Sequence, residues 1–364
     1  MPFYNDLRPV SDFEDRDFAL VFPKMNAKEK KRAIKGVLAL KDAIADQISR
    51  RKTEENLLIA SWNIKEFGHT TQRLPEAYFY IAEIIAGFDL VALQEIKTSL
   101  KDLQILVRLL GSDWDYLVND ITSGSEGNSE RSAYLYNTKR VRLSGTVGEL
   151  QLWPEITAGS EVTQLARTPY LTGFRAGWKN FSLLSVHLEP QKSGAQVHRR
   201  SEEVKHLLRA LQEKMSEHWT SRLIVVGDFN FYDTHDDPNV QAFEAAGFYE
   251  VDGIKGQDTN VSQTEIYDRM FVKADKYFRL AENAHGTVGG VFDPFDYVYK
   301  DGASVEYEPE IRAVYDGDME LETYFQRYWK RNQISDHLPI WLELNIDDSV
   351  DFLKSRLAKH EAEG

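Results

Sequence analysis

Five apolar runs of this sequence end in, or lead into, side chains that can transfer protons or hold a cation. These side chains are Asn63, Glu95, His187, Asp228 with Asn230, and Asp336 with His337. Strand ends are where a rigid scaffold presents functional groups on loops, so the repeated pattern favours an enzyme site. The chain contains no cysteine, so any metal must be held by Asp, Glu, Asn or His. That ligand set favours hard cations such as Mg²⁺, Mn²⁺ or Ca²⁺.

The run from Leu223 to Asn230, LIVVGDFN, carries the strongest single signal. Its glycine allows the backbone to turn sharply. Asp228 and Asn230 have one residue between them, so in extended geometry their side chains point to the same side. A hard metal ion or a phosphate-bound water needs such converging oxygens. An Asx-type turn after a buried strand is the alternative for the same residues.

Two histidines occur beside apolar runs. His187 lies in SVHLEP and His337 lies in QISDHLPI, where Asp336 directly precedes it. One such histidine alone is more often a core residue than a ligand. Two of them in a chain without cysteine, each with carboxylates available, favour a general acid and a general base.

Glu95 closes a nearly continuous apolar run, directly after Gln94. An ionised carboxylate at such a depth needs a cation, which is either a metal ion or simply Lys97 in a salt bridge. Asn63 closes the run that begins at Leu57, and an ordinary turn is the alternative role for its side chain.

Short β-branched and aliphatic runs alternate with helical segments from Leu57 onwards, and these elements must position the polar side chains. Strands are predicted at 57–64, 89–96, 116–121, 133–136, 181–188, 223–226, 269–272 and 339–344. Helices are predicted at 75–86, 100–110 and 202–217. This mixture predicts sheets packed face to face with helices outside.

Two further segments flank a main domain that we place at 56–346, and a third, at about 301–331, is an insertion within it. Residues 1–55 are expected to form a docked helical extension, with a helix at 27–51 that begins in a capping box of Asn26 and Glu29. Its apolar positions, interrupted by Lys41, predict one buried face that includes Ile34 and Leu38. The acidic segment 301–331 is expected to lie over the site as a lid or specificity element. A helix at 349–360, within 347–364, is expected to pack on the surface.

Composition sets limits on the function. The 364 residues include 58 acidic and 44 basic ones, and the net charge of −14 argues against a protein whose main task is to grip nucleic acid electrostatically. A nuclease remains possible, because a bound cation inverts the field of its carboxylate ligands. The start of the chain lacks a signal-peptide pattern and no apolar run has membrane-spanning length. A cytoplasmic location without stable membrane association is expected, secretion by a non-classical route stays open, and oligomeric state stays undetermined.

Six motifs in order resemble the endonuclease/exonuclease/phosphatase superfamily, most of all its deoxyribonuclease I group. They are ASWNIKEFG from Ala60, ALQEIK from Ala92, SVHLEP from Ser185, VVGDFNFYD from Val225, YDRMFV from Tyr267 and ISDHLP from Ile334. The resemblance implies an α/β (α+β) four-layered sandwich, in which two packed mixed β-sheets are flanked by helices. It also implies a hydrolase that acts on phosphoester bonds with Mg²⁺, or with Mn²⁺ or Ca²⁺.

The resemblance further implies a role for each site residue. Glu95 and Asn63 would hold the metal, with Asp336 supporting the metal or His337. His187, oriented by Glu130, and His337, oriented by Asp268, would form the acid–base pair. The remaining roles are the positioning of water and phosphate by Asp228 and Asn230, and a phosphate contact by Arg167.

Two departures from the deoxyribonuclease I pattern affect the substrate. Asn128 stands where that group carries a groove-packing tyrosine, and Lys97 stands in place of a groove-reading arginine. The predicted function is a metal-dependent phosphodiesterase, and the first hypothesis is a DNA endonuclease. The alternatives are a phosphoesterase acting on inositol phosphates or phospholipids, as in sphingomyelinases, and a binding module of the same fold without activity.

Overall fold

The computed structural model describes residues 2–12, 20–48, 52–69, 72–122, 127–190, 195–217, 222–232 and 237–363. Its strands are β1 Asn56–Phe67, β2 Leu90–Ile96, β3 Trp114–Val118, β4 Arg131–Asn137, β5 Arg142–Glu149, β6 Tyr170–Ala176, β7 Lys179–His187, β8 Leu223–Asp228, β9 Tyr249–Glu250, β10 Asp268–Lys273, β11 Glu282–Asn283, β12 Gly286–Thr287, β13 Gly289–Val291 and β14 Ile340–Asn345. Its α-helices are α1 Ala27–Gln47, α2 Pro75–Ala86, α3 Lys101–Leu110, α4 Pro154–Thr157, α5 Ala195–Glu217, α6 Pro238–Ala245, α7 Glu308–Arg312, α8 Leu321–Tyr324, α9 Lys330–Gln333 and α10 Ser349–Glu363.

Two mixed sheets of six strands form the centre of the described chain. The first has the order β13-β14-β1-β2-β4-β3 and the second has the order β5-β6-β7-β8-β10-β9. The pairs β1–β2 and β7–β8 are parallel, and the other pairs in the two sheets are antiparallel. Helices flank both sheets, so the predicted sandwich of two mixed sheets between helices is confirmed.

Three apolar clusters separate the four layers. Alternate residues of β1 show the principle, because Leu58 and Ala60 face helices α1 to α3 while Leu57 and Ile59 face the second sheet. The third cluster lies between the second sheet and helices α5 and α6. The space between the sheets is therefore lined mainly by apolar side chains.

The predicted strands and main-domain helices all occur, with ends that differ by a few residues. Strands β5 and β6 were missed. Every residue of β5 is exposed and the strand contains two glycines, so it lacks the apolar alternation on which strand prediction depends. In β6 the apolar residues are interrupted by Thr172 and Gly173, although both of these residues are buried.

Helix α1 begins as predicted, since Asn26 Oδ1 accepts hydrogen bonds from the backbone N–H groups of Lys28 and Glu29, and the Asn26 backbone N–H donates one to Glu29 Oε2. The helix ends at Gln47, with Ile48 as its C-cap, so the predicted end at 51 is wrong. The burial of Ile34 and Leu38 was predicted wrongly, because both are exposed. The buried stripe packs on α2 and consists of Ala33, Val37, Leu40, Ala43, Ile44 and Ile48.

Segment 301–331, expected as a lid or specificity element over the site, keeps that role as a prediction only. It packs on the helical layer of the first sheet, where the Arg32 guanidinium of α1 lies 4.3 Å from the ring of Tyr307 and 3.0 Å from Glu310 Oε1. Tyr307, Phe325 and Trp329 belong to the same apolar cluster as α1 and α2. Two segments far apart in the sequence thus complete one layer.

Helix α10 also departs from expectation. It forms three residues longer than predicted, but only its first two turns touch the body of the protein, and from Arg356 onwards every described residue is exposed. Within the described residues, no helix combines the length and apolar composition that crossing a lipid bilayer requires.

Candidate active site

Strand alternation brings the polar residues to one edge of the space between the sheets. In β8 the core residues Ile224 and Val226 face this space, so Asp228, two positions on, faces it as well. The same period of two brings three further side chains to this edge: Asn63 within β1, His187 at the end of β7 and Asp268 at the start of β10. The polar residues that the sequence places near strand ends therefore lie together at one edge of the sheets.

Gly227 sets the spacing at the centre of this edge. Its φ is +136°, and a Cβ at this position would lie 2.0 Å from the carbonyl oxygen of Val186 in β7. Only glycine permits this approach of the two strands. Asp228 then pairs in register with His187 on one side and with Asp268 on the other, so its buried carboxylate lies in the middle of the site.

His337 and Asp268 form one half of the site. His337 Nδ1 lies 2.8 Å from Asp268 Oδ2, and His337 Nε2 lies 3.7 Å from Asp228 Oδ2. Burial would lower the pKa of His337, but the carboxylates of Asp268 and Asp228 hold it well above the ordinary value. Burial raises the pKa of Asp268 to about 6, although the neighbouring imidazole opposes that rise.

His187 and Glu130 form the other half. His187 Nδ1 lies 3.3 Å from Glu130 Oε2 and His187 Nε2 lies 3.6 Å from Asp228 Oδ2. Glu130 also pairs with Lys97 at 3.1 Å and with Arg167 at 3.3 Å. Burial alone would raise the pKa of Glu130, but His187, Arg167 and Lys97 lower it to about 2. Burial likewise opposes the charged form of His187. The pKa of His187 is nevertheless raised, because the Glu130 carboxylate next to its Nδ1 stabilises the protonated ring.

Glu95 reaches the site through a break in strand regularity. Its φ is +61°, and the register of β2 shifts here against both β1 and β4, as expected for a bulge that redirects a side chain. Glu95 Oε1 accepts a hydrogen bond from Asn63 Nδ2 at 2.8 Å, and Oε2 accepts one from the Glu66 amide at 3.0 Å. Asn63 Nδ2 also donates to Asp228 Oδ2 at 3.1 Å. Asn63 therefore joins Glu95 to the central carboxylate.

Asn230 and Asp336 arrive at the edge with their groups already engaged. The amide of Asn230 donates to the Leu188 carbonyl at 3.0 Å, and its backbone N–H donates to Asp228 Oδ1 at 3.0 Å. These bonds form the Asx-type turn that was the alternative for these residues. The expectation from extended geometry, that the side chains of Asp228 and Asn230 point to the same side, is therefore wrong. Asp336 Oδ2 accepts a hydrogen bond from Lys65 Nζ at 2.7 Å, and opposing its burial, His337 and Lys65 lower its pKa.

Two groups of side chains each bring three possible ligand atoms within 4.8 Å of one another in the described chain. One consists of Glu95, Glu130 and His187, and the other consists of Asp228, Asp268 and His337. Among the described residues, no lysine or arginine forms an ion pair with Glu95, and Lys97 pairs with Glu130 and Glu66 instead. A half-buried carboxylate supplied only with amide donors fits a hard divalent cation. Asp336 lies in neither group.

Several residues that organise the site were not identified from the sequence. Thr259 Oγ1 accepts hydrogen bonds from the backbone N–H groups of Tyr267 and Asp268. Ser335 Oγ donates to the Asn63 carbonyl and accepts from the His337 amide. Ser335 and Lys65 lie inside recognised motifs and could have been proposed, whereas nothing in the sequence around Thr259 distinguishes it.

A cavity of about 420 Å³ opens beside Glu66 and Lys97. Its other lining residues are Gly68, His69, Thr98, Ser99, Asn128 and Ser129. All of these lining residues except Gly68 carry a hydroxyl, amide, imidazole or charged group, so a hydrogen-bonding group could find partners there.

A carboxylate edge with two carboxylate-held histidines, on a four-layered sandwich, defines the class of the protein. Residues 60–337 match the profile of the Endonuclease/Exonuclease/phosphatase family, and the chain belongs to this family. Membership indicates a hydrolase that acts on phosphoester bonds.

Individual relatives are more distant. Deoxyribonuclease gamma of Mus musculus is 24% identical over 204 residues, which are 53% of this chain and 58% of the relative, and that of Rattus norvegicus is 24% identical over 186 residues, 48% and 56% respectively. The chain thus spans little more than half the length of these relatives. Their named activity is a statement about those proteins.

Solved structures show the same fold. A family protein from Bacteroides thetaiotaomicron is 18% identical with a TM-score of 0.52, covering 81% of this chain and 99% of that chain. The human Nocturnin catalytic domain is 14% identical with a TM-score of 0.51, covering 80% and 94%. A mannosyl-6-phosphatase from Bacteroides thetaiotaomicron is 18% identical with a TM-score of 0.50, covering 79% and 99%. The fold is therefore shared by proteins with different names.

Proposed function

We propose that the protein is a divalent-cation-dependent phosphodiesterase and that DNA is its substrate. The observation that carries this proposal is the arrangement of His187 and His337, whose Nε2 atoms lie 3.6 and 3.7 Å from the same oxygen of Asp228. Each imidazole has its other nitrogen directed to a carboxylate. Two proton-transferring groups therefore flank one position.

Hydrolysis of a phosphodiester requires both of these groups. One imidazole takes a proton from the attacking water while the new P–O bond forms, and the other gives a proton to the leaving oxygen while the old P–O bond breaks. Glu130 and Asp268 hold the two rings so that Nε2 rather than Nδ1 does this work. Each positioned acid or base contributes about 10²–10⁴-fold to the rate.

Glu95, joined to the site by Asn63, is the residue we assign to the cation, with Mg²⁺ as the ion that its oxygen donors favour. A bound divalent cation would offset the charge that develops on the phosphoryl oxygens. Asp228, and Asn230 through its backbone bond to Asp228, keep the centre of the site fixed. Arg167, 3.3 Å from Glu130, is the side chain proposed to contact phosphate.

DNA as the substrate is supported by the sequence similarity to deoxyribonuclease gamma. A second candidate, a small phosphate ester, is favoured by one observation. Lys65, Lys97 and Arg167 are each paired with a carboxylate, whereas a long polyanion is bound best by several cations that exchange counterions for phosphates. A substrate with a single phosphate depends less on such cations.

The experiment compares nicking of supercoiled plasmid with hydrolysis of a model phosphodiester and a sugar phosphate, each with Mg²⁺ and with chelator. The variants are His187→Ala and His337→Ala, and His285→Ala in the exposed β11–β12 turn is the matched control. We expect cation-dependent nicking that is lost in both site variants and kept in the control. Hydrolysis of the sugar phosphate with intact plasmid would replace DNA by the second candidate, and no hydrolysis of any ester would refute the phosphodiesterase.

A further inference from the structure

Helix α10 carries an apolar stripe that faces away from the protein. Val350, Leu353 and Leu357 are 59%, 64% and 60% exposed. At 100° per residue they lie within an arc of about 60° on the helix surface. The half-buried residues Phe352 and Ser355 lie on the opposite side of the helix. The stripe is therefore turned outward by the way in which the helix is attached.

The attachment itself is well defined. The ring of Phe352 packs 5.9 Å from that of Trp178 in the β6–β7 turn, and Arg279 pairs with Asp351 at 2.8 Å. Beyond these contacts the helix runs on for two turns that are exposed on all sides. Helices of about 15 residues are marginal in water on their own, so a partner along the stripe would supply the missing stabilisation.

Val350, Leu353 and Leu357 occupy alternate a and d positions of a heptad, with His360 at the next d position. Val350 at a with Leu353 at d is the combination that favours two parallel strands, whereas Leu357 and His360 occupy the next a and d positions without showing it. We propose that α10 pairs in parallel with α10 of a second copy of this chain, so that the protein forms a dimer through this helix.

The charges on either side of the stripe select the orientation. In a parallel pair, Arg356 at g faces Glu361 at e of the partner helix, and symmetry makes this contact twice. In the antiparallel register that brings all four a and d residues together, Lys354 faces Lys354 and Arg356 faces Arg356. Opposite charges meet in one arrangement and like charges in the other, which favours the parallel dimer.

Sedimentation of the full chain over a range of concentrations tests the proposal. We expect a dimer for the wild type, a monomer for Leu353→Glu/Leu357→Glu, and a dimer for the control Ala358→Glu, which lies outside the stripe. Phosphoesterase activity should be unchanged in all three proteins, since α10 is remote from the site. Circular dichroism should show, at most, the loss of the α10 helix in the double variant, because that helix is marginal without its partner. A wild type that stays monomeric at every concentration would overturn the dimer. So would a monomeric wild type that binds vesicles of anionic phospholipid and loses this binding in the double variant.

A charge reversal and a cysteine then test the orientation. Glu361→Lys should weaken the dimer and the added change Arg356→Glu should restore it, because the interhelical contact is re-formed with its signs exchanged. The chain contains no cysteine, so His360→Cys places one thiol per copy, and only the parallel dimer brings the two within disulfide distance. A dimer that does not cross-link under oxidation, or that no charge change affects, would rule out the parallel arrangement.

Discussion

The two imidazole–carboxylate pairs of the site look alike but are built differently. Asp268 is fully buried and its carboxylate serves His337 at 2.8 Å. Glu130 is shared among His187, Lys97 and Arg167, at 3.1 to 3.3 Å. One pair is thus isolated in the protein interior, while the other is the hub of a charge network. The two rings are held in a similar geometry, but the pKa of Glu130 is lowered while that of Asp268 is raised.

This difference separates two tasks. A carboxylate that serves one imidazole fixes its orientation and favours its protonated form. A carboxylate that also holds a lysine and an arginine keeps those cations in place for the fold and for phosphate. Loss of Asp268 should therefore affect the chemistry and the pH dependence of stability, whereas loss of Glu130 should also affect binding and lower the stability at neutral pH.

The largest expected effect tests whether the two rings act as one unit. We expect His187→Ala and His337→Ala each to lower kcat by about 10²–10⁴-fold, because each removes one proton transfer. The double variant should be much less impaired than the product of the two effects, since residues that act together are not additive. Single-turnover rates of the three variants check this. Fully multiplicative losses would show that the halves work independently.

The next effect concerns stability in acid and has opposite signs in the two halves. Glu130 has its pKa lowered to about 2, so its contribution, on the order of 3 kcal/mol, is present above about pH 4.5 and is lost as the pH falls towards 2. Asp268 has its pKa raised to about 6, so its own titration stabilises the fold at low pH and that contribution is lost as the pH rises through 6.

Urea unfolding of metal-free protein between pH 3 and 7 measures this contrast. Glu130→Gln should flatten the fall in stability on the acid side and lower the stability at pH 7, because Lys97 and Arg167 lose their counter-charge. Asp268→Asn should instead make this fall steeper between about pH 6 and pH 4, because it removes the contribution of Asp268 that rises as the pH falls. If both variants flatten it equally, the two carboxylates are not electrostatically different.

A smaller effect asks to which half the cation belongs. Glu95 lies in the group with Glu130 and His187. Glu95→Gln keeps the shape and the hydrogen bond to Asn63 but removes a charged ligand, so Mg²⁺ affinity should fall at least about tenfold with little change in stability. Calorimetric titration measures the affinity. Mg²⁺ should also perturb the NMR signal of His187 more than that of His337, and the reverse result would move the cation to the other half.

The smallest effect is expected at the border of the His337 half. Lys65 and Asp336 are about a quarter and a third exposed, and such pairs contribute about 0–1 kcal/mol. Lys65→Met should therefore change the melting temperature very little. A loss of several kcal/mol would mean that Asp336 belongs to the interior network of His337.

Much of the fold followed from periodicity, because eight of the main strands are buried on at least one face and show apolar runs. Strand β5 lacks such a run, since both of its faces are exposed. The position of segment 301–331 was also out of reach. Its docking depends on Arg32, a residue about 270 positions earlier, and no local pattern reveals such a contact.

The site divides in the same way. Polar residues at strand ends were recognised because the period of two places them with the core residues before them. Which oxygen meets which nitrogen depends on turns that alternation does not encode. Asn230 is an example, since its left-handed backbone directs its amide to Leu188 rather than beside Asp228.

Six residues around the candidate site have a left-handed backbone conformation, which limits the stability of the protein. Lys65, Glu66, Glu95, Asn128, Ser129 and Asn230 all have φ between 43° and 61°, a region that costs residues with side chains free energy. Glycine at Asn128 would relieve that cost. A laboratory selection for heat resistance alone should therefore accumulate glycines around this edge. The protein would become more stable while it lost side chains of the candidate site.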